Sequence, residues 1–519
     1  MLAILDTAVV HGLRGELVRV EVDIAQGLPS FHIVGLPDAA LSEARERVRG
    51  AIRNAGFSYP LSRITVNLAP ADRRKHGAAY DVAIAVGILL AHQQIRASGG
   101  AWALLGELSL DGSVRPVPGV LPMVATLRSS GHRRVCVPLA NTTEAALVEG
   151  IEVVGADGLD DVARLVAGPR GRTAARARRR SAIRIAGSSE ARPEAGLHPG
   201  EVTELADLRG QEQARWALEV AIAGRHNLLL VGSPGAGKTM LARAVPGVQP
   251  PLTEEEAREV AVIRSVAGLA ATAHERLARP FRSPHHTTSY AAMVGGGPRL
   301  RPGLVTQAHH GALFLDELPE FDRGVLDALR QPLEDGSVEI VRAHGAVTYP
   351  ARLQLIAAMN PCRCGWDGDP ERRCACPSRE PERYRRRVSG PLADRIDLRV
   401  VMPRMEPGAL VELARPEASA VVAARIRHAW ERALARNDGR PNAALRGARL
   451  LAACALDTRA RRALEELGAR LELTGRGVHR LLRVARTVAD LHAGTAVTAE
   501  DLAAAAALRD RTLEHEAEA

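Results

Sequence analysis

Hydrophobic and polar positions divide the chain into three stretches of different rhythm. Over residues 1–168, short apolar runs alternate with helical ones. Met1-Leu2-Ala3-Ile4-Leu5-Asp6 reads as an opening strand, and residues 17–24 alternate apolar and polar as a half-buried strand does. Residues 42–54 are charged with helical spacing, and Gly56 stands where that helix should end. Strands are predicted at 64–68, 135–137 and 151–154. A buried helix is predicted at 81–92, which holds the longest strictly apolar run, 82–91. The pattern is that of an α+β or α/β domain without an obvious nucleotide site. Residues 201–403 alternate strand and helix as an α/β domain does. From 404 to 519 the chain turns Ala-, Arg- and Leu-rich, with helical periodicity over 418–436, 458–471, 477–493 and 498–509. Thr498-Ala-Glu-Asp501 resembles a helix start in this helical domain.

Composition changes this picture in one place. Residues 169–192 hold eight arginines and one glutamate, which is +7 of the chain's net charge of +9. A basic linker is therefore expected over 169–200, either a solvated tether or an electrostatic grip on phosphates. The folded parts are nearly neutral, so net charge permits nucleic-acid binding without showing it. With 46% hydrophobic residues in 519, the chain is neither disordered nor fibrous. The 82–91 run is about half a membrane span, so no transmembrane helix is expected. The first residues lack a basic leader, and six cysteines do not make a disulfide scaffold. The expected location is the cytoplasm.

Candidate chemistry begins at residue 227. The apolar run Asn227-Leu-Leu-Leu-Val231 leads into Gly232-Ser233-Pro234-Gly235-Ala236-Gly237-Lys238-Thr239 and then a helix. This is the P-loop pattern in its strand–loop–helix setting. Its glycines let backbone N–H groups wrap a β-phosphate, and the helix N-terminus adds positive potential. Lys238, one of only two lysines in the chain with Lys75, is placed to reach the β- and γ-phosphates of ATP. Thr239 supplies a hydroxyl ligand to Mg2+. Further on, the apolar strand Ala312-Leu-Phe-Leu315 ends in Asp316-Glu317, a Walker B arrangement. Asp316 is expected to hold the Mg2+ shell and Glu317 to polarise the attacking water. A third strand, 353–359, ends at Asn360, where α/β sheets bind ligands and where a polar group can orient water or sense the γ-phosphate.

Two other segments carry chemistry. Alternating runs on either side of His344-Gly345 predict a β-hairpin over 338–349. Cys362-x-Cys364 and Cys374-x-Cys376 lie close together in a loop rich in Gly, Pro and Arg. Four thiolates so spaced suit structural Zn2+, although C-x-C pairs are tighter than the usual knuckle, and free or redox-active thiols are the alternative. Cys136 and Cys454 sit in apolar surroundings and read as core residues.

Several stretches together resemble the magnesium-chelatase-like AAA+ ATPases: Phe281-Arg-Ser-Pro-His-His286, Gly295-Gly-Gly297, Gly311 to Phe321, and Leu329-Arg-Gln-Pro-Leu-Glu-Asp-Gly336. Met359-Asn-Pro-Cys-Arg-Cys-Gly365 and Ser389-Gly-Pro-Leu-Ala-Asp-Arg-Ile-Asp-Leu398 narrow the likeness to the ComM branch. One departure is Leu304 after Pro302-Gly303, where relatives carry an acid. The resemblance implies a homohexameric ring with ATP between subunits, and Arg395 at the arginine-finger position. It makes Arg476 the sensor-2 arginine of a helical lid, with Arg480 and Arg483 as the other choices. It further implies a hairpin projecting into the ring's pore, where Arg342 and His344 contact a phosphate backbone or merely pack. Branch migration on DNA, branched or single-stranded, is the implied function. Residues 1–168 resemble a Lon-protease-like domain. Ala79 stands where that fold would carry its serine, and no lysine lies in 119–127, so peptidase activity is not expected. A scaffold or a second DNA surface is the remaining role there, with Arg73, Arg74 and Lys75 as a small basic cluster. The alternative to a DNA motor is a protein-remodelling ATPase like the magnesium-chelatase motor subunit.

Overall fold

The computed structural model describes residues 1–35, 43–70, 75, 77–97, 101–168, 184–185, 202–269, 276–297, 300–342, 345–369, 371–406, 408 and 413–509. The chain forms two compact units, one of residues 1–194 with 257–276 and 298–301, the other of 195–256, 277–297 and 302–519.

The first unit is built on a mixed eight-stranded sheet. Its long antiparallel pair, Leu2–His11 with Arg14–Ala25, continues through Arg63–Ala69 to a parallel edge strand, Ser30–Val34. On the other side Ala103–Leu104, Arg134–Pro138 and Glu152–Ala156 follow in parallel. The expected strands are all present. The helix Asp81–Ala91 is buried along nearly its whole length against the long pair. Gly87 allows this approach, because a Cβ there would lie 2.6 Å from Val22 Cγ2. At its first turn Asp81 is fully buried and accepts from Arg47 Nε at 2.7 Å. Burial pushes the Asp81 carboxyl up to about 6 in spite of that bond. Ala79, two residues before the helix, is buried. Lys75, expected in an exposed basic cluster, is 3% exposed, as a lysine is when it has a partner. Arg73 and Arg74 lie outside the described residues. So does the basic linker, apart from Arg184–Ile185, which pairs with Gly155 and Val154.

The second unit holds a five-stranded parallel sheet in the order Phe281–Arg282, Ala312–Leu315, Gln354–Met359, Leu228–Val231, Leu398–Val401. Its middle three strands are wholly buried. Helices then take over: Ser419–Arg436, Gly447–Cys454, Thr458–Arg470, Gly475–Leu491 and Ala499–Ala507. Thr498 and Asp501 form a full capping box on the last of them. The helix Gly447–Cys454 is an addition to the expected set, being short and opening on a glycine. Inside this bundle Arg486 is fully buried, and it and Arg436 both bond to Asp490. Cys136 and Cys454 are buried, one in each unit, as expected of core residues. Among the described residues no helix is long and apolar enough to cross a membrane.

Candidate active site

Parallel strands deliver their C-terminal ends to one edge of the sheet, and the candidate residues converge there. Leu228–Val231 feeds the P-loop. Gly235 and Gly237 take φ of 84° and 92°, values only glycine adopts without strain, and Gly237 starts the helix Lys238–Arg243. Gly232 has a different need: a Cβ there would come within 2.3 Å of Met402 O. Lys238 Nζ donates to Gly232 O at 2.6 Å, Ser233 O at 3.0 Å and Asn360 Oδ1 at 3.1 Å. Burial pulls its ammonium down to about 8, against the opposing charges of Asp316 and Glu317. Thr239 Oγ1 donates to Asp316 Oδ2 at 2.6 Å.

Lys238, Thr239, Asp316 and Asn360, drawn from three strands, are thus brought together. This donor set fits a nucleotide with its metal. One ammonium and a glycine-lined loop face phosphate, while a hydroxyl and a carboxylate, already paired, suit Mg2+.

Glu317 follows at φ 53°, the left-handed region, which a non-glycine side chain occupies only when its surroundings impose it. Its carboxylate meets a histidine whose role is not legible in the sequence. His286 Nδ1, from the loop after Phe281–Arg282, lies 3.0 Å from Glu317 Oε2. The sequence signal was the Pro-His-His286 motif itself.

The arginines separate clearly. Arg395 Nη1 donates to Pro391 O at 2.6 Å, and Nη2 pairs with Glu334. That bond, with further charge from Arg476 and Arg446, holds the Glu334 carboxyl below its ordinary value. Arg480 donates to Asp394 O at 2.7 Å, and Arg483 donates to Ala443 O at 3.0 Å and to Asp397 Oδ1 at 3.5 Å, so both tie the helical domain to the segment that leads into the last sheet strand. Arg476 is exposed in the first turn of its helix.

Beside the P-loop lies the cysteine loop. Sulfur distances are 3.3 Å for Cys362–Cys364, 3.7 Å for Cys362–Cys374 and 3.5 Å for Cys364–Cys374, and all four sulfurs including Cys376 lie within 4.8 Å of one another. A disulfide needs about 2.05 Å between sulfurs, whereas tetrahedral zinc with bonds of about 2.3 Å sets them about 3.8 Å apart. Burial raises the Cys364 thiol, but hydrogen bonds from the N–H groups of Trp366 and Ala375 and from the adjacent thiols hold it down at about 6.

The expected hairpin is present as Ser337–Arg342 paired with Gly345–Pro350. Val341 is 60% exposed, and Arg342 Nη2 sits 3.2 Å from where a Cβ on Gly296 would be. His344 lies outside the described residues. Gly303, before the departing Leu304, starts the helix Leu304–Gln307 and admits no Cβ, which would lie 2.4 Å from Gly295 N.

A parallel sheet carrying a P-loop, a threonine and an aspartate paired at its edge, and a helical domain after it define a P-loop ATPase of the AAA+ kind. Three family models match: magnesium chelatase subunit ChlI over residues 204–410, subunit ChlI of Mg-chelatase over 20–141, and the ChlI C-terminal region over 416–509. The Mycobacterium tuberculosis protein Rv2897c is 44% identical over 511 residues, 96% of this chain and 97% of that one. YifB of Escherichia coli is 41% identical over 519 residues, 99% and 98% of the two chains. The competence protein ComM of Haemophilus influenzae is 40% identical over 493 residues, 94% of each chain. The chain belongs to the magnesium-chelatase-like AAA+ ATPases, in their ComM branch. Membership carries ATP hydrolysis with Mg2+.

Proposed function

We propose that this chain is the subunit of a six-membered, ATP-driven ring that moves along branched or single-stranded DNA, driving branch migration or unwinding in recombination or natural transformation. The observation that carries this reading is its near-full-length likeness to a relative named for competence. In this reading residues 1–168 form a Lon-protease-like scaffold or second DNA surface, 169–200 a basic linker, 201–403 the ATPase and 404–519 the lid of a cytoplasmic motor.

Each site residue then has a task. Residues 232–237 wrap the phosphates with backbone N–H groups, and Lys238 reaches the β- and γ-oxygens. Thr239 and Asp316 hold Mg2+. Glu317 takes the proton of the attacking water and Asn360 orients that water. Arg395 reaches the γ-phosphate of the neighbouring subunit's nucleotide, where it offsets charge developing in the transition state, and Arg476 senses the nucleotide from the lid. Cys362, Cys364, Cys374 and Cys376 hold a structural Zn2+, supported by sulfur spacings close to those of a tetrahedral site.

With aromatics only 3% of the chain, DNA is tracked by its backbone rather than by stacked bases. Arg342 is the contact we assign to it. Forked or four-way DNA should raise ATP turnover severalfold, and Arg342→Ala should weaken DNA binding and flatten its salt dependence while basal turnover persists. The family match to a chelatase motor module favours a second reading, remodelling of a protein client. Absence of any DNA stimulation would select it.

A further inference from the structure

The cysteine loop does more than lie near the P-loop; one carboxylate joins them. Asp369 Oδ2 accepts from Ser233 Oγ at 2.8 Å. Its other oxygen, Oδ1, accepts from the N–H groups of Glu371 and Arg372, both at 3.0 Å, and so fixes the turn that leads directly into Cys374. A second contact is steric. Gly365, which follows Cys364, lies flat on Pro234: a Cβ there would sit 2.5 Å from Pro234 Cδ. A third runs through Trp366, whose ring centroid is 4.4 Å from the Arg372 guanidinium carbon and 5.8 Å from that of Arg404. Arg404 lies just past Met402, whose carbonyl leaves Gly232 no room for a side chain.

Three successive P-loop residues, Gly232, Ser233 and Pro234, are therefore bounded by the cysteine loop or by the segment that loop clasps. The stretch 361–369 has neither helix nor strand, carries both Gly365 and Gly368, and is held by its sulfurs, by the contacts above and by Arg385, which donates to Pro361 O at 3.2 Å and to Asp367 Oδ2 at 2.8 Å. Cross-linking by a metal removes its conformational freedom in advance, and the P-loop inherits the order.

We infer that the four-cysteine loop is a metal-dependent brace on the P-loop, so that zinc occupancy sets the affinity for ATP. The inference rests on the zinc reading above and adds its consequence. Zinc is first counted in the full-length protein as purified, and fluorescent ATP analogue binding is then titrated before chelation, after it, and after zinc is returned. One zinc per chain, an affinity loss of roughly tenfold on stripping, and recovery on reloading are expected, the scale of one or two lost hydrogen bonds with their ordering.

Asp369→Ala tests the link without touching a sulfur. It should keep its zinc, bind the analogue like stripped wild type, and respond no further to chelation; Asp369→Asn, whose amide oxygen can keep the Glu371 and Arg372 N–H groups while its amide nitrogen donates to Ser233 Oγ, should restore the wild-type response. Zinc present but nucleotide affinity indifferent to its removal would overturn the brace alone. Zinc absent from the purified protein would overturn the metal reading as well. Unchanged affinity and unchanged chelation response in Asp369→Ala would refute the route through Asp369 whatever the metal content.

Discussion

His286 Nδ1 and Glu317 Oε2 are 3.0 Å apart, joining the loop after one sheet strand to the acid at the end of its neighbour. Because Glu317 also sits in left-handed backbone, its carboxylate is held by side chain and main chain together. Glu317→Gln should abolish turnover, by at least about a hundredfold, while ATP binding stays within about twofold, as expected when only a transition-state role is lost. His286→Ala should lower kcat by about five- to tenfold and leave KM unchanged, because it frees the direction of a carboxylate without altering the phosphate pocket. A matched rise in KM would place His286 in nucleotide binding instead.

Arg395 shares Glu334 with the charges of Arg476 and Arg446. An arginine that acts on a neighbour's nucleotide leaves a signature in mixed rings. Arg395→Ala protein should bind ATP normally yet hydrolyse it about a thousandfold more slowly. Mixing it with Lys238→Ala protein, which cannot bind ATP but retains Arg395, should recover part of the activity. No recovery in such mixtures would show that Arg395 acts within its own subunit.

Thiol chemistry separates the six cysteines. Burial pushes Cys136 up to about 12 and Cys454 up to about 11, which keeps both as unreactive thiols at pH 8. Cys364, Cys374 and Cys376 are only partly buried, so alkylation of the native protein after chelation should reach them first and spare Cys136 and Cys454 until the protein is unfolded. Mass spectrometry of the alkylated peptides reads this directly.

Glu256 gives the acid limb of stability a specific source. It accepts from Arg279 Nη2 at 2.9 Å and lies 3.2 Å from His310 Nδ1. Burial works to raise its carboxyl, but the His310 bond and the Arg279 charge outweigh that and hold it well below the usual carboxylate range. A depressed pKa contributes stability that is complete above the unfolded value, about 4.3, and is lost as pH falls toward the folded one. Glu256→Gln should lower stability at pH 7 by about 2 kcal/mol, a difference that shrinks as pH drops below about 4. Thermal melts of both proteins across that range test it; a difference independent of pH would point to lost packing rather than lost charge.

The chemistry legible in the sequence was the part written in consecutive residues. The glycines and lysine of 232–239 and the Asp316-Glu317 pair announce themselves because a loop and a strand end are local structures. Lys238 meeting Asn360 could be anticipated, since both sit at strand ends. Partners set by topology could not. His286 reaches Glu317 only because Phe281–Arg282 lies beside Ala312–Leu315 in the sheet, and Asp369 reaches Ser233 only because the cysteine loop folds back after its own strand. The burial of Lys75 is hidden for a related reason, since composition records charge and not burial.

The strand Ala312–Leu315 pairs with Gln354–Met359 in a fixed register, Ala312 opposite Gln354 and Leu315 opposite Ala357. Gln354, buried at the far end, donates to Ala221 O at 2.8 Å and His226 O at 2.7 Å, and Asn227 Oδ1 accepts from Leu355 N at 2.8 Å. Successive side chains on a strand face opposite ways, so sliding it by one residue would present Glu317 where Asp316 now meets Thr239. The division of labour between two adjacent acids is thus measured from a ruler whose zero mark is a pair of amides, the buried Gln354 and the half-buried Asn227, at the opposite edge of the sheet. Damage to those amides would surface as confused chemistry before it surfaced as a lost fold.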